Sequence, residues 1–232
     1  MVGHCGVGKI MRLSVVIPTF NESAVIEATL AALAPLRLRG GEVVVADGGS
    51  EDGTPRLAAP LADRVLTTPP GRARQMNAGA RSATGDTLLF LHADTRLPAE
   101  AEARVADALA RHRWGRFNVR LSGNQPALRV VEAMMNLRSR LTGIATGDQA
   151  IFVRRADFEA VGGFPDLPLM EDVALSRALK RRGRPAGLRA RVVTSSRRWE
   201  THGIAPTILL MWRLRLGYFL GEPPERLARR YR

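Results

Sequence analysis

The chain has 232 residues, 45% of them apolar and 25% charged, which suits one α/β domain with elaborations and leaves no room for a second full domain. No run approaches the roughly 18 uninterrupted apolar residues of a membrane-spanning helix. Met1 to Ile10 lacks the apolar stretch and cleavage site of a secretory signal, and the lone Cys5 excludes an internal disulfide, so a cytoplasmic setting is expected. The formal charge of +13 is almost wholly arginine, since lysine occurs only at Lys9 and Lys180. Such a balance calls for an anionic partner, whether nucleic acid, lipid headgroups or a phosphorylated substrate, and charge alone does not choose among them.

The first predicted element is a buried strand, Leu13 to Pro18, a β-branched run closed by proline. Asn21 to Ser23 supplies capping side chains for a helix from about Ala24 to Ala34. The pattern then repeats: a strand from Glu42 to Ala46, a turn-rich loop from Asp47 to Gly53, and a short helix to about Leu61. Arg64 to Thr67 reads as a third strand, Gly71 to Ala83 as a helix, and Thr87 to Leu91 as a fourth strand ending in His92-Ala-Asp-Thr95. Pro98, with Glu100 and Glu102 in the first turn, opens a helix to about Arg111. The second half reads as strands near Arg116 to Leu121, Gln149 to Arg154 and Val192 to Thr194. Its helices are Ala127 to Leu141, one from Ala156, and Asp172 to Arg182, with a helical tail from Ile204.

Alternating strands and helices imply a mostly parallel sheet. Ligands in such sheets bind beyond the carboxyl ends of the strands, where loops and helix N-termini gather. The polar loops Thr19 to Glu22, Asp47 to Gly53 and His92 to Thr95 are therefore expected on one edge.

These segments resemble a known family. Ser14-Val-Val-Ile-Pro-Thr-Phe-Asn-Glu22, Val45-Ala-Asp-Gly-Gly-Ser-Glu-Asp-Gly-Thr54, Arg74-Gln-Met-Asn-Ala-Gly79, His92-Ala-Asp94 and Met170-Glu-Asp172 stand in the order seen in family 2 glycosyltransferases. Those are inverting enzymes of the GT-A fold. Within them the chain is similar to small bacterial glycosyltransferases carrying Phe-Leu-His-Ala-Asp-Thr. The resemblance implies a GT-A domain over residues 11–203 with a C-terminal helical extension over 204–232. It implies transfer of a sugar from a nucleotide-diphosphate sugar, UDP-linked or other, to a hydroxyl of a small molecule or lipid-linked acceptor.

The resemblance also implies roles. Pro18, Thr19, Glu22 and Ala93 border the nucleotide, and Asp47 accepts a hydrogen bond from its base, the alternative for Asp47 being a turn-forming aspartate before Gly48-Gly49. Asp52 with Gly53 reads as turn and cap chemistry. Asp94 takes the last place of the Asp-X-Asp motif and would hold Mg²⁺ or Mn²⁺ against the diphosphate. His92 replaces the first aspartate of that motif, a departure that leaves Asp94 the main ligand and favours Mn²⁺ if the imidazole binds. His202 is a further candidate metal ligand, the alternative being an ordinary hydrogen-bonding histidine.

Asp172, beside Glu171, would be the catalytic base that deprotonates the acceptor hydroxyl, and an N-cap role for Asp172 is the competing reading. Arg72 and Arg74 are placed to pair with phosphate oxygens, with Asn77 on the same nucleotide side. Asp148 and Gln149 are acceptor-site candidates.

Some signals mislead. Gly3 to Lys9 imitates a P-loop spacing, but Ile10 stands where Ser or Thr should hold Mg²⁺ and no strand precedes it. Met11 reads as an alternative start, with residues 1–10 dispensable. Thr207 to Leu220 mixes Trp212, Arg213, Arg215 and Tyr218 with aliphatics, as a helix packed on the domain or one lying on the inner face of a membrane would. A nucleotidyltransferase is the competing enzyme, although it would carry a glycine-rich loop after the first strand. A basic nucleic-acid-binding module is the non-enzymatic alternative and lacks any reading motif, so no nucleic-acid partner is expected.

Overall fold

The computed structural model of the chain describes residues 11–231; residues 1–10, with the P-loop-like Gly3 to Lys9, lie outside the described residues. The first half follows the expected alternation: β1 (Leu13–Thr19), α1 (Ile26–Leu38), β2 (Glu42–Asp47), α2 (Thr54–Ala58), β3 (Arg64–Thr67), α3 (Arg72–Ser82) and β4 (Thr87–Phe90). β1 pairs in parallel with both β2 and β4, and β2 with β3, so all four strands end on one edge.

Their near-continuous apolar runs are explained by burial on both faces. Val15, Ile17, Val43, Val45, Leu89 and Leu91 turn to one side, against Ile26, Leu30 and Leu33 of α1. Val16, Val44, Leu88 and Phe90 turn to the other, against Ala73, Met76 and Ala80 of α3. Gly79 permits this closeness, because a Cβ there would stand 2.4 Å from Val16 Cγ1. The sequence stops the first helix before Pro35, yet α1 runs through it to Leu38; burial of Leu36, 4% exposed, offsets the hydrogen bond that proline removes.

The second half brings β5 (Thr95–Arg96), α4 (Ala101–Arg111), β6 (Trp114–Leu121), α5 (Pro126–Thr142), a 3-10 turn at Gly147–Gln149, β7 (Phe152–Arg154), α6 (Arg155–Ala160), α7 (Glu171–Arg182) and β8 (Ala186–Thr194). α8 (Arg197–His202), α9 (Ile204–Phe219) and α10 (Pro224–Tyr231) follow. The eight strands form one sheet in the order β3-β2-β1-β4-β7-β6-β8-β5. β7 runs antiparallel to both neighbours, β6 pairs with β8 in parallel, and β5 is antiparallel to β8.

Three more differences from the sequence reading have a clear local cause. α4 starts at Ala101 rather than Pro98, since Glu100 sits in the left-handed region at φ 55°. β8 has nine residues rather than three, its alternation disguised by arginines on its solvent side at Arg189 and Arg191. β5, two residues long, carries no sequence signal and exists through its pairing with β8.

Glu42 shows how the amino-terminal end of the sheet is tied together. It is 4% exposed, and its carboxylate accepts hydrogen bonds from Ser14 Oγ at 2.6 Å and from Thr84 N at 2.7 Å. Burial pushes its pKa up, but these bonds and the charge of Arg64 outweigh it, leaving the pKa below the ordinary glutamate value. A depressed folded-state pKa contributes stability above the unfolded-state value and loses it as pH falls through the folded one. Glu42→Gln is therefore expected to cost about 2 kcal/mol at pH 7, a fall in Tm of about 4–8 °C. Thermal melts from pH 7 downward should find the gap to wild type closing below about pH 4, in the ordinary carboxylate range; a gap independent of pH would contradict this role.

Candidate active site

Loops after β1 and β2 are stitched to each other. Asp47, 1% exposed, accepts hydrogen bonds from Thr19 Oγ1 at 2.9 Å, Ser50 Oγ at 2.6 Å, Gly49 N at 3.0 Å and Ser50 N at 2.7 Å. That is an Asx-type turn with every donor supplied by the chain itself. Asn21, left-handed at φ 54°, receives Glu51 N on its Oδ1 at 3.0 Å and donates its own N–H to Ser50 Oγ at 2.8 Å. Asp52 accepts from Ser23 N and Thr54 N at 2.9 and 3.0 Å, and Glu22 N donates to Thr54 Oγ1 at 2.9 Å. From below, the buried Gln75 of α3 donates to the carbonyls of Thr19 and Ala46 at 2.6 and 3.0 Å, clamping the ends of β1 and β2. Phe20 projects outward from this rim, 56% exposed, an aromatic face available for stacking.

The antiparallel β7 brings a distant segment to the same edge. Phe152 of β7 pairs with Leu89 near the carboxyl end of β4, so the 3-10 turn just before β7 lands beside His92. Gly147 is required there, because a Cβ would meet His92 Nε2 at 2.5 Å. Its N–H donates to Asp172 Oδ2 at 2.8 Å, while Val173 N donates to Asp172 Oδ1 at 2.7 Å. The helix α7 begins at Glu171 with Met170 as its N-cap in the left-handed region, φ 69°. Asp172 thus lies inside the first turn and spends its carboxylate on Gly147 and its own neighbour.

Buried polar atoms without partners mark the place. His92 Nε2, Asp148 Oδ1 and Gln149 Nε2 all lack a hydrogen bond, two of them on the 3-10 turn and the third packed against it. Native proteins pair nearly all such atoms, so a cluster of three exceptions points to a ligand that supplies the missing partners. The left-handed Ala150, φ 46°, and Met170 bracket the same region, a concentration of backbone strain typical of functional sites.

Arg72 is the electrostatic hub. Its Nη1 donates to Glu171 Oε1 at 3.3 Å, and its charge also acts on Glu22 and His92. Burial holds the His92 pKa down at about 3, with Arg72 adding to the effect, so the imidazole is neutral at pH 7. Burial raises the Glu171 pKa and Asp172 raises it further, against the pull of Arg72. Burial also raises Asp148. Glu22 is raised by burial and then by the charge of Asp94, with Arg197 pulling the other way. Asp94 lines a hollow of about 370 Å³ with Thr29, Arg96 and Ser195.

Other residues singled out in the sequence lie as follows. Pro18 and Thr19 end β1, and Ala93 is buried with its carbonyl accepting from Thr29 Oγ1 at 2.5 Å. Arg74 is bound in a fork to Asp166, both Nε distances being 2.9 Å. Asn77 uses both ends of its amide on the backbone of Phe164, at 2.8 and 2.9 Å. His202 is exposed on α8, with Nδ1 3.2 Å from the Arg198 carbonyl oxygen and no contact with His92 or Asp94. Gln75, Phe20 and Arg138, whose Nη1 and Nη2 reach Ile144 O and Thr146 Oγ1 at 3.2 and 3.4 Å, were not singled out. For Gln75 the signal was present, a polar residue on the apolar stripe of α3.

Residues 14–121 match the family model described as glycosyl transferase family 2. The likeness to that family is thus carried by somewhat under half of the chain. The family 2 match takes in β1 to β6 and so includes the loops that carry Thr19, Asp47 and Asp94. A relative from Mycobacterium tuberculosis, a PGL/p-HBAD biosynthesis glycosyltransferase, is 41% identical over 107 residues, 43% of this chain; the chain spans 42% of that relative's length.

Among solved structures, Staphylococcus aureus TarS 1–349 superposes with a TM-score of 0.66 at 21% identity, over 80% of this chain and 61% of that one. The mannosyltransferase PcManGT from Pyrobaculum calidifontis, solved with GDP-Man and Mn²⁺, gives 0.63 at 26% identity, over 79% of this chain and 56% of its own. The fold is accordingly the GT-A glycosyltransferase fold, a curled sheet flanked by helices.

Proposed function

We propose that the chain is an inverting, metal-assisted glycosyltransferase that moves a sugar from a nucleotide-diphosphate sugar to an acceptor hydroxyl. Residues 11–203 would form the catalytic domain and 204–232 the extension. The observation that carries this reading is the meeting of Asp172, His92, Arg72 and the Gly147–Gln149 turn on the edge where β1, β2 and β4 end. The family match and the nucleotide sugar bound by the mannosyltransferase support the donor class.

In this reading the Thr19 to Glu22 and Asp47 to Gly53 loops frame the nucleotide, with Phe20 against the base, and Arg72 lies along the diphosphate. Asp172, oriented by two backbone N–H groups, takes the proton of the acceptor hydroxyl as its oxygen attacks the anomeric carbon. Attack from the face opposite the departing diphosphate inverts that carbon. Glu171, buried and paired with Arg72, positions the guanidinium rather than accepting the proton. Neutral His92 and Gln149 offer their unpartnered nitrogens to substrate hydroxyls.

Among the described residues no group of three or more His, Cys, Asp or Glu gathers to hold an ion unaided. Asp94 and Glu22 nonetheless fit a hard cation, because Mg²⁺ or Mn²⁺ in such sites is held by one or two carboxylates plus substrate phosphates. Held by these two residues, such an ion would supply positive charge against the diphosphate.

A panel of UDP-, GDP- and dTDP-sugars with and without Mn²⁺ tests the class. At about 100 times its Kd, the matching donor should stabilise by about 2.7 kcal/mol and raise Tm by about 5–10 °C. No shift with any nucleotide diphosphate, together with steeply salt-dependent oligonucleotide binding, would instead favour a nucleic-acid module.

A further inference from the structure

Beside the base lies a second hollow, about 700 Å³, between α5, α7 and α9. Its cations are Arg138, Arg177, Lys180, Arg181 and Arg215. Among the described residues none of the five makes an ion pair within 4.0 Å: Arg138 and Lys180 donate only to neutral oxygens, and Arg177, Arg181 and Arg215 donate to nothing. Burial and then the charge of Arg215 bring the Arg138 pKa down to about 10, against the pull of Asp148 and Asp172. Like charges held together around apolar walls are costly unless an anion joins them.

Those walls come from Ile144, Met170, Val173, Tyr218 and Phe219. Met170 and Val173 flank Glu171-Asp172 in the chain, so the wall of the hollow is the turn that carries the base. The carboxylates whose fields reach Arg138 and Arg215 are Asp148 and Asp172 themselves.

The two helices that bound the hollow each leave an apolar stripe in solvent. On α5 it is Val130, Met134, Leu137 and Leu141, 51 to 77% exposed and spaced by four, three and four. On α9 it is Leu209, Trp212, Leu216 and Phe219, 55 to 74% exposed and spaced by three, four and three. Ile204 and Ile208 of α9 share a hydrophobic cluster with Val131 and Met135 of α5, so the two helices that carry the stripes meet there. Exposed Arg140 and Arg213 interleave with them. Scattered surface apolar residues need no explanation, but paired helical stripes beside a basic hollow form the pattern of a surface that lies on anionic lipid.

We infer that the face formed by α5 and α9 rests on a membrane, and that the hollow between them receives the acceptor, an anionic amphiphile whose hydroxyl is presented to Asp172. The acceptor role rests on the glycosyltransferase reading; the lipid contact does not. The five cations hold the anionic group, the walls take the adjoining apolar segment, and the stripes bring the enzyme to the lipid plane. The bilayer is not crossed, as no helix among the described residues is long and apolar enough to span it.

The test is flotation of the whole protein with phosphatidylcholine vesicles, with and without phosphatidylglycerol, and binding of monododecyl phosphate against inorganic phosphate. Wild type should float with the anionic vesicles alone and bind the alkyl phosphate at least about 10-fold more tightly than phosphate. Arg177→Gln/Arg181→Gln, both exposed positions, should weaken both interactions about 10-fold or more, and Trp212→Ser/Leu216→Ser should abolish flotation while sparing the alkyl phosphate. Vesicle binding unchanged in the arginine variant would overturn the inference, as would inorganic phosphate binding equal to the alkyl phosphate. So would self-association that the Trp212→Ser/Leu216→Ser variant abolishes, without vesicle binding. Donor-induced stabilisation, measured in parallel, separates the two readings: its presence without lipid binding sinks the membrane face alone, and its absence with lipid binding sinks the acceptor role alone.

Discussion

Asp172→Asn is expected to slow sugar transfer about 10²–10⁴-fold, the usual worth of a positioned general base. The KM for the donor should stay within about 3-fold of wild type, because a proton acceptor acts in the transition state and not in donor binding. The geometry favours a clean result. α7 takes no side-chain cap from Asp172, and the amide oxygen of asparagine can still accept the Gly147 N–H now bonded at 2.8 Å. What is lost is the second oxygen and its basicity. Steady-state rates with Asp172→Asn, alongside thermal-shift titration of the donor, check both halves; normal turnover by the variant would remove Asp172 from the role of base.

Asp94→Ala should abolish the Mn²⁺-dependent part of donor binding, weakening it about 100-fold or more, while leaving the metal-independent part in place. The two carboxylates proposed to hold the ion are Asp94 and Glu22, and the charge of Asp94 raises the Glu22 carboxyl. Alone, Glu22 also faces Arg197 at 3.9 Å, a contact that competes with any cation. Isothermal titration of the nucleotide with and without Mn²⁺ separates the two contributions. A variant retaining the full Mn²⁺ effect would move the metal site away from Asp94.

Much of the carboxyl edge of the sheet was legible because local patterns suffice for it. β-branched runs ended by polar turns give strands, parallel pairing sends their carboxyl ends to one side, and Thr19, Asp47 and Asp94 follow without further information. The sequence could not tell how Asp47, Arg74 and Asn77 spend their hydrogen bonds. Arg74 and Asn77 find partners 92 and 87 residues away, in the segment before α7, and no periodicity announces such a pairing. Asp47 carried both a turn role and a ligand role in its local pattern; in the folded chain its oxygens are occupied by Thr19, Gly49 and Ser50.

The surroundings of His92 were the least legible. Asp148 and Gln149 stood out only by resemblance, and what brings them to His92 is the antiparallel entry of β7 next to β4. The returning tail is similar. Tyr231 stacks under Arg198 at 3.8 Å from its ring centroid, and Leu227 packs with Leu169 and Met170, so the last helix reaches the turn that carries Asp172.

The residues by themselves determined an α/β chain whose first four strands share an edge lined by carboxylates, since that outcome depends on short-range periodicity and the handedness of crossovers. Only the tertiary structure decided that Gly147 would hold Asp172, that Arg72 would face Glu171, and that unpaired arginines of α5, α7 and α9 would surround one hollow. Those are meetings of side chains far apart in the chain, selected by burial and charge over the whole molecule, and no local stretch of sequence contains that energy balance.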